Sequence, residues 1–79
     1  MDGQVSRILE GQVLDEFDMV QLKRVLEVIA ETSSMEKTGR QLFAVTRASK
    51  NSFNDSDRVK KFLARWNLDY KSVKGSLLA

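Results

Sequence analysis

No proline interrupts the 79 residues of this chain, and only four glycines are available for tight turns. Pro and Gly are the residues that most often separate strands and close hairpins, so the chain has few of the turn-forming residues that a β-sheet needs. Helices are favoured throughout. At this length the chain forms a single domain with a small core, because it buries only about 60% of its unfolded surface. We therefore predict a small all-α domain of three to five helices.

The chain contains neither Cys nor His, which excludes disulfides, zinc sites with thiolate or imidazole ligands, and Cys or His nucleophiles. The spacing of Asp55 and Asp57 resembles the start of a calcium loop, but the glycine and closing glutamate of that loop are missing. We expect no metal, no cofactor and no enzymatic activity. A cytoplasmic location is expected, because no apolar run approaches the roughly 20 residues that span a bilayer and no signal peptide is recognisable.

Charge is divided unevenly along the chain. Residues 1–36 hold three Lys and Arg against eight Asp and Glu, a net charge of −5, whereas residues 37–79 hold ten against three, a net charge of +7. Segregation of this kind indicates a basic face for an anionic partner, with the acidic half turned elsewhere.

The acidic half contains a weak helical pattern followed by a strong one. Residues 4–14 are typical of a short helix or an ordered arm, with Gly11 breaking the pattern. A longer helix is predicted from Asp15, a candidate N-cap, to about Thr32. Its apolar side chains recur at helical spacing: Leu22, Val25, Leu26 and Ile29.

That helix also carries a second apolar face. At about 100° per residue, Phe17, Val20 and Val28 fall on the side opposite the main stripe. Either the N-terminal segment folds back over this face or a second copy of the chain covers it. The three residues are therefore the predicted dimer interface.

A third helix is predicted to begin at a capping box formed by Ser33 and Glu36 and to end between residues 44 and 49. Gly39 lies where a neighbouring helix is expected to approach closely. The apolar positions of this helix are Met35, Leu42 and Phe43. Residues 46–54 are mostly polar and lack periodicity, which predicts a loop.

The fourth pattern is a basic amphipathic helix over residues 54–68, capped by Asn54 or Asp55. Its core side holds Val59, Phe62, Leu63 and Trp66, and its outward side holds Arg58, Lys60, Lys61 and Arg65. A supporting helix, a turn and such a helix describe a helix-turn-helix that enters the DNA major groove. An ordinary solvated helix face would show the same charges, and on charge alone the two interpretations are about equally supported.

Beyond this helix, Asp69 is a candidate cap for one more turn, followed by a frayed tail. We divide the chain into residues 1–14, an N-terminal arm or short helix, and residues 15–79, the helix-turn-helix domain.

Two segments resemble Fis-type helix-turn-helix domains. GRQLFAVTR, residues 39–47, resembles the supporting helix and turn, with Ala44 where Gly is usual, and VKKFLARWNL, residues 59–68, resembles the end of the recognition helix. Residues 48–57 lengthen the turn between them. As a whole, residues 17–70 are similar to the C-terminal DNA-binding domain of RtcR-like sigma-54-dependent activators.

The resemblance implies a DNA-binding module that hydrolyses nothing. In a full-length activator it would accompany an RNA-ligand-sensing domain and a central AAA+ ATPase, and it would act with sigma-54 RNA polymerase on an RNA-repair operon.

Arg58 is expected to read a base edge, with guanine O6 and N7 as its partners, because it lies near the start of the recognition helix. Lys61 shares its outward face, and Lys60 and Arg65 are expected at phosphates. The loop supplies candidate contacts to the duplex backbone: Thr46, Arg47, Lys50 and Ser52. A homodimer would place two recognition helices about 34 Å apart on double-stranded DNA. The alternative function is a helical protein-interaction and oligomerisation module with a basic docking face.

Overall fold

The computed structural model describes residues 2–45 and 55–78. Within these ranges the chain forms helices only, with no strand, and the prediction of a small all-α domain is confirmed. In chain order the helices are α1 (Asp2–Leu9), α2 (Glu16–Glu31), α3 (Met35–Leu42), α4 (Asp55–Ala64) and α5 (Tyr70–Leu78). Not one of them combines the length and the apolar character needed to cross a membrane.

The core lies where the apolar sides of the helices meet. Leu22, Leu26 and Ile29 of α2 are fully buried, and they share one cluster with Val59 and Leu63 of α4. Removing one such side chain from water stabilises the fold by about 1.5–3 kcal/mol. The outer helices complete the cluster with Val5, Leu9 and Val73.

Helix α2 begins after Asp15 and ends with Thr32 as its C-cap, as predicted, although the Asp15 side chain makes no capping hydrogen bond. Its last turn contains no basic residue. Lys74 of α5 supplies the missing cation, because its Nζ donates to the carbonyl oxygens of Ile29 at 2.6 Å and Thr32 at 2.5 Å. A cation at this position offsets the negative end of the helix dipole. The contact fastens α5 to the end of α2.

The predicted start of α3 is wrong by one residue. Ser34 is the N-cap, and its Oγ accepts a hydrogen bond from the Lys37 N–H at 3.1 Å. With the cap at Ser34, the residue three positions later is Lys37, so the capping box of Ser33 and Glu36 does not form. The Glu36 carboxylate instead pairs with Arg40, one turn along the helix.

The end of α3 also comes earlier than predicted, at Leu42. The C-cap is Phe43, whose N–H donates to the Gly39 carbonyl at 2.9 Å while its own backbone has left helical geometry, with φ −115° and ψ 30°. No Gly or Pro marks this end, so the pattern predicted a longer helix. The predicted loop over residues 46–54 lies outside the described residues.

Helix α4 ends at Ala64, four residues before the predicted limit. Asn67 adopts a left-handed conformation with φ 59°, and the N–H of Leu68 donates to the Leu63 carbonyl at 3.1 Å. The Asn67 N–H donates to Ala64 at 3.0 Å, which completes a Schellman motif. Asn is one of the few residues that tolerate this conformation. Trp66 therefore reaches the core from the turn after α4 and not from the regular helix.

The N-terminal segment forms the short helix that was one of its two predicted forms. Leu9 is its last residue, and the left-handed residues Glu10 (φ 52°) and Gly11 (φ 88°) turn the chain away. Gln12 Nε2 then donates to the backbone oxygen of Trp66 at 2.8 Å. The segment before α2 is thereby tied to the turn after α4.

The C-terminal segment is not the predicted frayed tail. It forms the nine-residue helix α5, and Val73 on this helix is 2% exposed. The proposed cap is present, because Asp69 Oδ1 accepts the N–H of Ser72 at 3.0 Å, and this hydrogen bond lowers the pKa of Asp69. Burial of Val73 and the Lys74 contact hold a helix that its own sequence would not stabilise.

Candidate nucleic-acid interface

The position of α4 depends on a close approach between its first residue and α3. A Cβ built on Gly39 would lie 2.6 Å from the backbone carbonyl carbon and oxygen of Asp55, nearer than real Cβ contacts come. Only a glycine lets the start of α4 sit against α3 in this way. The expectation that a helix approaches closely at Gly39 is confirmed.

Helix α4 is buried along one side and charged along the other. Val59 and Leu63 are at most 1% exposed. The four predicted cations all lie on the exposed surface: Arg58, Lys60, Lys61 and Arg65. At about 100° per residue, Lys60 lies on a different flank of the helix from the other three.

The tips of these cations have different surroundings. The Arg58 Cζ lies 3.8 Å from the centroid of the Phe43 ring, and the Lys61 Nζ lies 2.9 Å from Asp57 Oδ2. Within residues 2–45 and 55–78, Lys60 makes no ion pair. The pair between Lys61 and Asp57 is exposed, and such pairs contribute about 0–1 kcal/mol, so a phosphate can replace Asp57 at little cost.

Arg65 contacts two neighbouring side chains. Its Nη2 lies 3.5 Å from Asp18 Oδ1 on α2, and its Cζ lies 4.8 Å from the Trp66 ring centroid. The Trp66 ring is 8% exposed and meets Phe62 edge to face at 4.8 Å, which leaves it no free face for base stacking. Trp66 is thus a core anchor, as predicted.

The second apolar face of α2 is smaller than predicted. Phe17 and Val20 are 72% and 63% exposed, so the N-terminal segment does not fold back over them. Val28 is fully buried, because the chain itself covers the C-terminal half of α2, and the prediction that Val28 lies on an exposed face is wrong. Next to Val20, a groove of about 510 Å³ runs between α2 and α4.

Two contacts of the cations were not foreseen, the stack of Arg58 on Phe43 and the pair of Arg65 with Asp18. Both join residues that are far apart in sequence, and no local spacing marks them. The predicted loop contacts lie outside the described residues: Thr46, Arg47, Lys50 and Ser52.

A small helical domain that holds one helix by its apolar side and presents Arg and Lys on the other has the form of a nucleic-acid-binding domain. Residues 2–73 match the family model of the RtcR C-terminal DNA-binding domain, and the chain therefore belongs to this family. The predicted resemblance is confirmed.

Among curated proteins, the chain is 42% identical over 65 residues to the transcriptional regulatory protein RtcR of Escherichia coli (strain K12). The match covers 82% of this chain and 12% of that protein. No solved structure shows a significant match. The chain is a DNA-binding domain of the RtcR C-terminal family.

Proposed function

We propose that the domain recognises a specific sequence in double-stranded DNA by placing α4 in the major groove. The observation that carries this proposal is the division of α4 into a buried apolar side and an exposed surface with three cations, which Arg65 extends one residue past the end of the helix. In this arrangement α3 is the supporting helix of a helix-turn-helix with a lengthened turn. The groove admits one helix, and cations held in register match the phosphates beside it.

The surroundings of each cation support different roles. Arg58 reads a base edge, because it lies in the first turn of α4 and recognition helices meet bases with their N-terminal residues. Lys60 and Lys61 neutralise phosphates. Arg65, already tied to Asp18 and Trp66, contributes a phosphate contact only at the end of the helix. Thr46, Arg47, Lys50 and Ser52 add contacts to the duplex backbone.

We further propose that the domain binds DNA as a homodimer through α2. Phe17 and Val20 form an exposed apolar patch that continues into the groove beside α4. Exposed apolar patches of this kind commonly mark protein interfaces. A second copy would place another α4 one helical turn away along the duplex, about 34 Å.

The chain spans 12% of the length of the regulator that it matches, so its wider role is also a proposal. The domain directs a sigma-54-dependent activator to its site in cytoplasmic DNA. An AAA+ ATPase domain of the full-length protein would engage sigma-54 RNA polymerase. The domain itself contributes binding and no catalysis.

DNA binding is tested by fluorescence anisotropy with a duplex selected from a randomised library. We expect Arg58→Ala to raise Kd by about 5- to 150-fold and to relax the preference at one base pair, as loss of a bidentate base contact does. Lys61→Ala should weaken binding to all duplexes alike. It should also reduce the slope of log affinity against log salt by about 1.

Lys71→Ala on α5 is the matched control and should leave Kd unchanged. Binding that shows no sequence preference, or that survives Arg58→Ala and Lys61→Ala unaltered, would contradict the placement of α4. Absence of binding to any duplex would instead favour the alternative, a protein-interaction module whose basic face docks an acidic partner.

The dimer is tested with the double variant Phe17→Glu and Val20→Glu, because two carboxylates on the patch oppose burial against a second copy. In sedimentation of the complex with a palindromic duplex, we expect the number of bound copies to fall from two to one. Val13→Glu is the control, since Val13 is 96% exposed and lies outside this patch. A double variant that still binds as two copies would remove α2 from the interface.

A further inference from the structure

The Arg58 guanidinium lies on an aromatic ring that belongs to another helix. Its Cζ is 3.8 Å from the centroid of Phe43, well within the range of a cation–π interaction. Phe43 is the C-cap of α3 and packs against the core, so the core fixes the position of its ring.

The stack leaves Arg58 free to bind. A cation–π contact uses the flat face of the guanidinium, whereas its five N–H donors point outward in the plane of the group. The same group can therefore rest on Phe43 and still offer two donors to a guanine edge. Arg65 differs, because Asp18 already engages one of its nitrogens.

Holding Arg58 in place has an energetic consequence for binding. Fixing a free Arg side chain costs rotamer entropy, and a side chain ordered before binding does not incur that cost in the complex. The Phe43 ring restricts Arg58 in the free domain. Because Phe43 sits at the end of α3, the supporting helix also aligns the reading group of α4.

We propose that Phe43 is a positioning residue that sets the specificity of the domain by orienting Arg58, without itself touching DNA. The proposal rests on the proposed function, in which Arg58 reads a base pair. It assigns to α3 a share in sequence discrimination beyond its packing against α4.

The test compares Phe43→Leu with Phe43→Tyr on the duplex selected by the wild-type domain. Leu keeps an apolar contact with the core but has no ring. We expect Kd to rise about three- to tenfold and the preference at the Arg58 base pair to fall, with the salt slope unchanged. Phe43→Tyr keeps the ring and should retain both the wild-type Kd and the preference at the Arg58 base pair. Phe43→Met is a second ringless variant in case Leu lowers the melting temperature below the assay temperature.

A double-mutant cycle separates positioning from packing. In the Arg58→Ala background, Phe43→Leu should have no further effect on Kd. Phe62→Leu is the control for loss of a half-buried ring and should leave the base preference intact. An undiminished preference in Phe43→Leu, with Arg58→Ala still harmful, would overturn this inference alone. No effect of Arg58→Ala would overturn the proposed function as well.

Discussion

Gly39→Ala is expected to destabilise the domain by about 2–3 kcal/mol and to lower its melting temperature by roughly 10–20 °C. The added methyl group would lie 2.6 Å from the Asp55 backbone, which cannot rotate away as a side chain end can. Relief requires α4 to move as a unit relative to α3. In an open helix the same substitution stabilises by about 1 kcal/mol, so the sign of the change is itself diagnostic.

Gly75→Ala is the matched control for this prediction. Gly75 lies in α5, and a Cβ there would meet no atom within 4 Å. We expect it to raise the free energy of unfolding by up to about 1 kcal/mol. Thermal melts followed by circular dichroism give both values. A Gly39→Ala variant as stable as Gly75→Ala would contradict the close crossing of α3 and α4.

Trp66→Ala is expected to have the largest effect on stability, a loss of about 3–5 kcal/mol. The side chain is 8% exposed, belongs to the main core cluster and contacts Phe62 edge to face. A chain of 79 residues has a free energy of unfolding of about 4–12 kcal/mol, so this loss removes a large part of it.

Urea denaturation followed by far-ultraviolet circular dichroism measures the change, because the substitution removes the one Trp of the chain. Leu78→Ala, at a side chain that is 70% exposed, is the control and should alter stability by no more than about 0.5 kcal/mol. A Trp66→Ala domain that keeps its stability but loses DNA affinity would assign Trp66 to base stacking.

Periodicity predicted the helices well, because an amphipathic pattern reflects burial along the whole element. It placed α2 within a residue of its limits, and it placed the three cations of α4 and the adjacent Arg65 on the exposed surface. It failed at the start of α3, where two adjacent serines could each be the N-cap. Ser33 and Ser34 are equally good caps by type, and only the path of the chain selects Ser34.

Other features lay beyond local patterns because they depend on how helices cross. The burial of Val28 and the stack of Arg58 on Phe43 follow from tertiary packing. Helix α5 was mistaken for a tail because Gly75 weakens its pattern. Its stability comes from Val73 in the core and Lys74 at the end of α2.

The first and last helices share the core, since Val5 and Leu9 of α1 belong to one cluster with Val73 of α5. Nearly the whole sequence lies between these residues, so their contact closes a very long stretch of chain. Within the domain, Val73 of α5 packs in the same cluster as Val5 and Leu9 of α1. This part of the core therefore joins the two ends of the domain, and a chain that stopped before residue 73 would leave it incomplete.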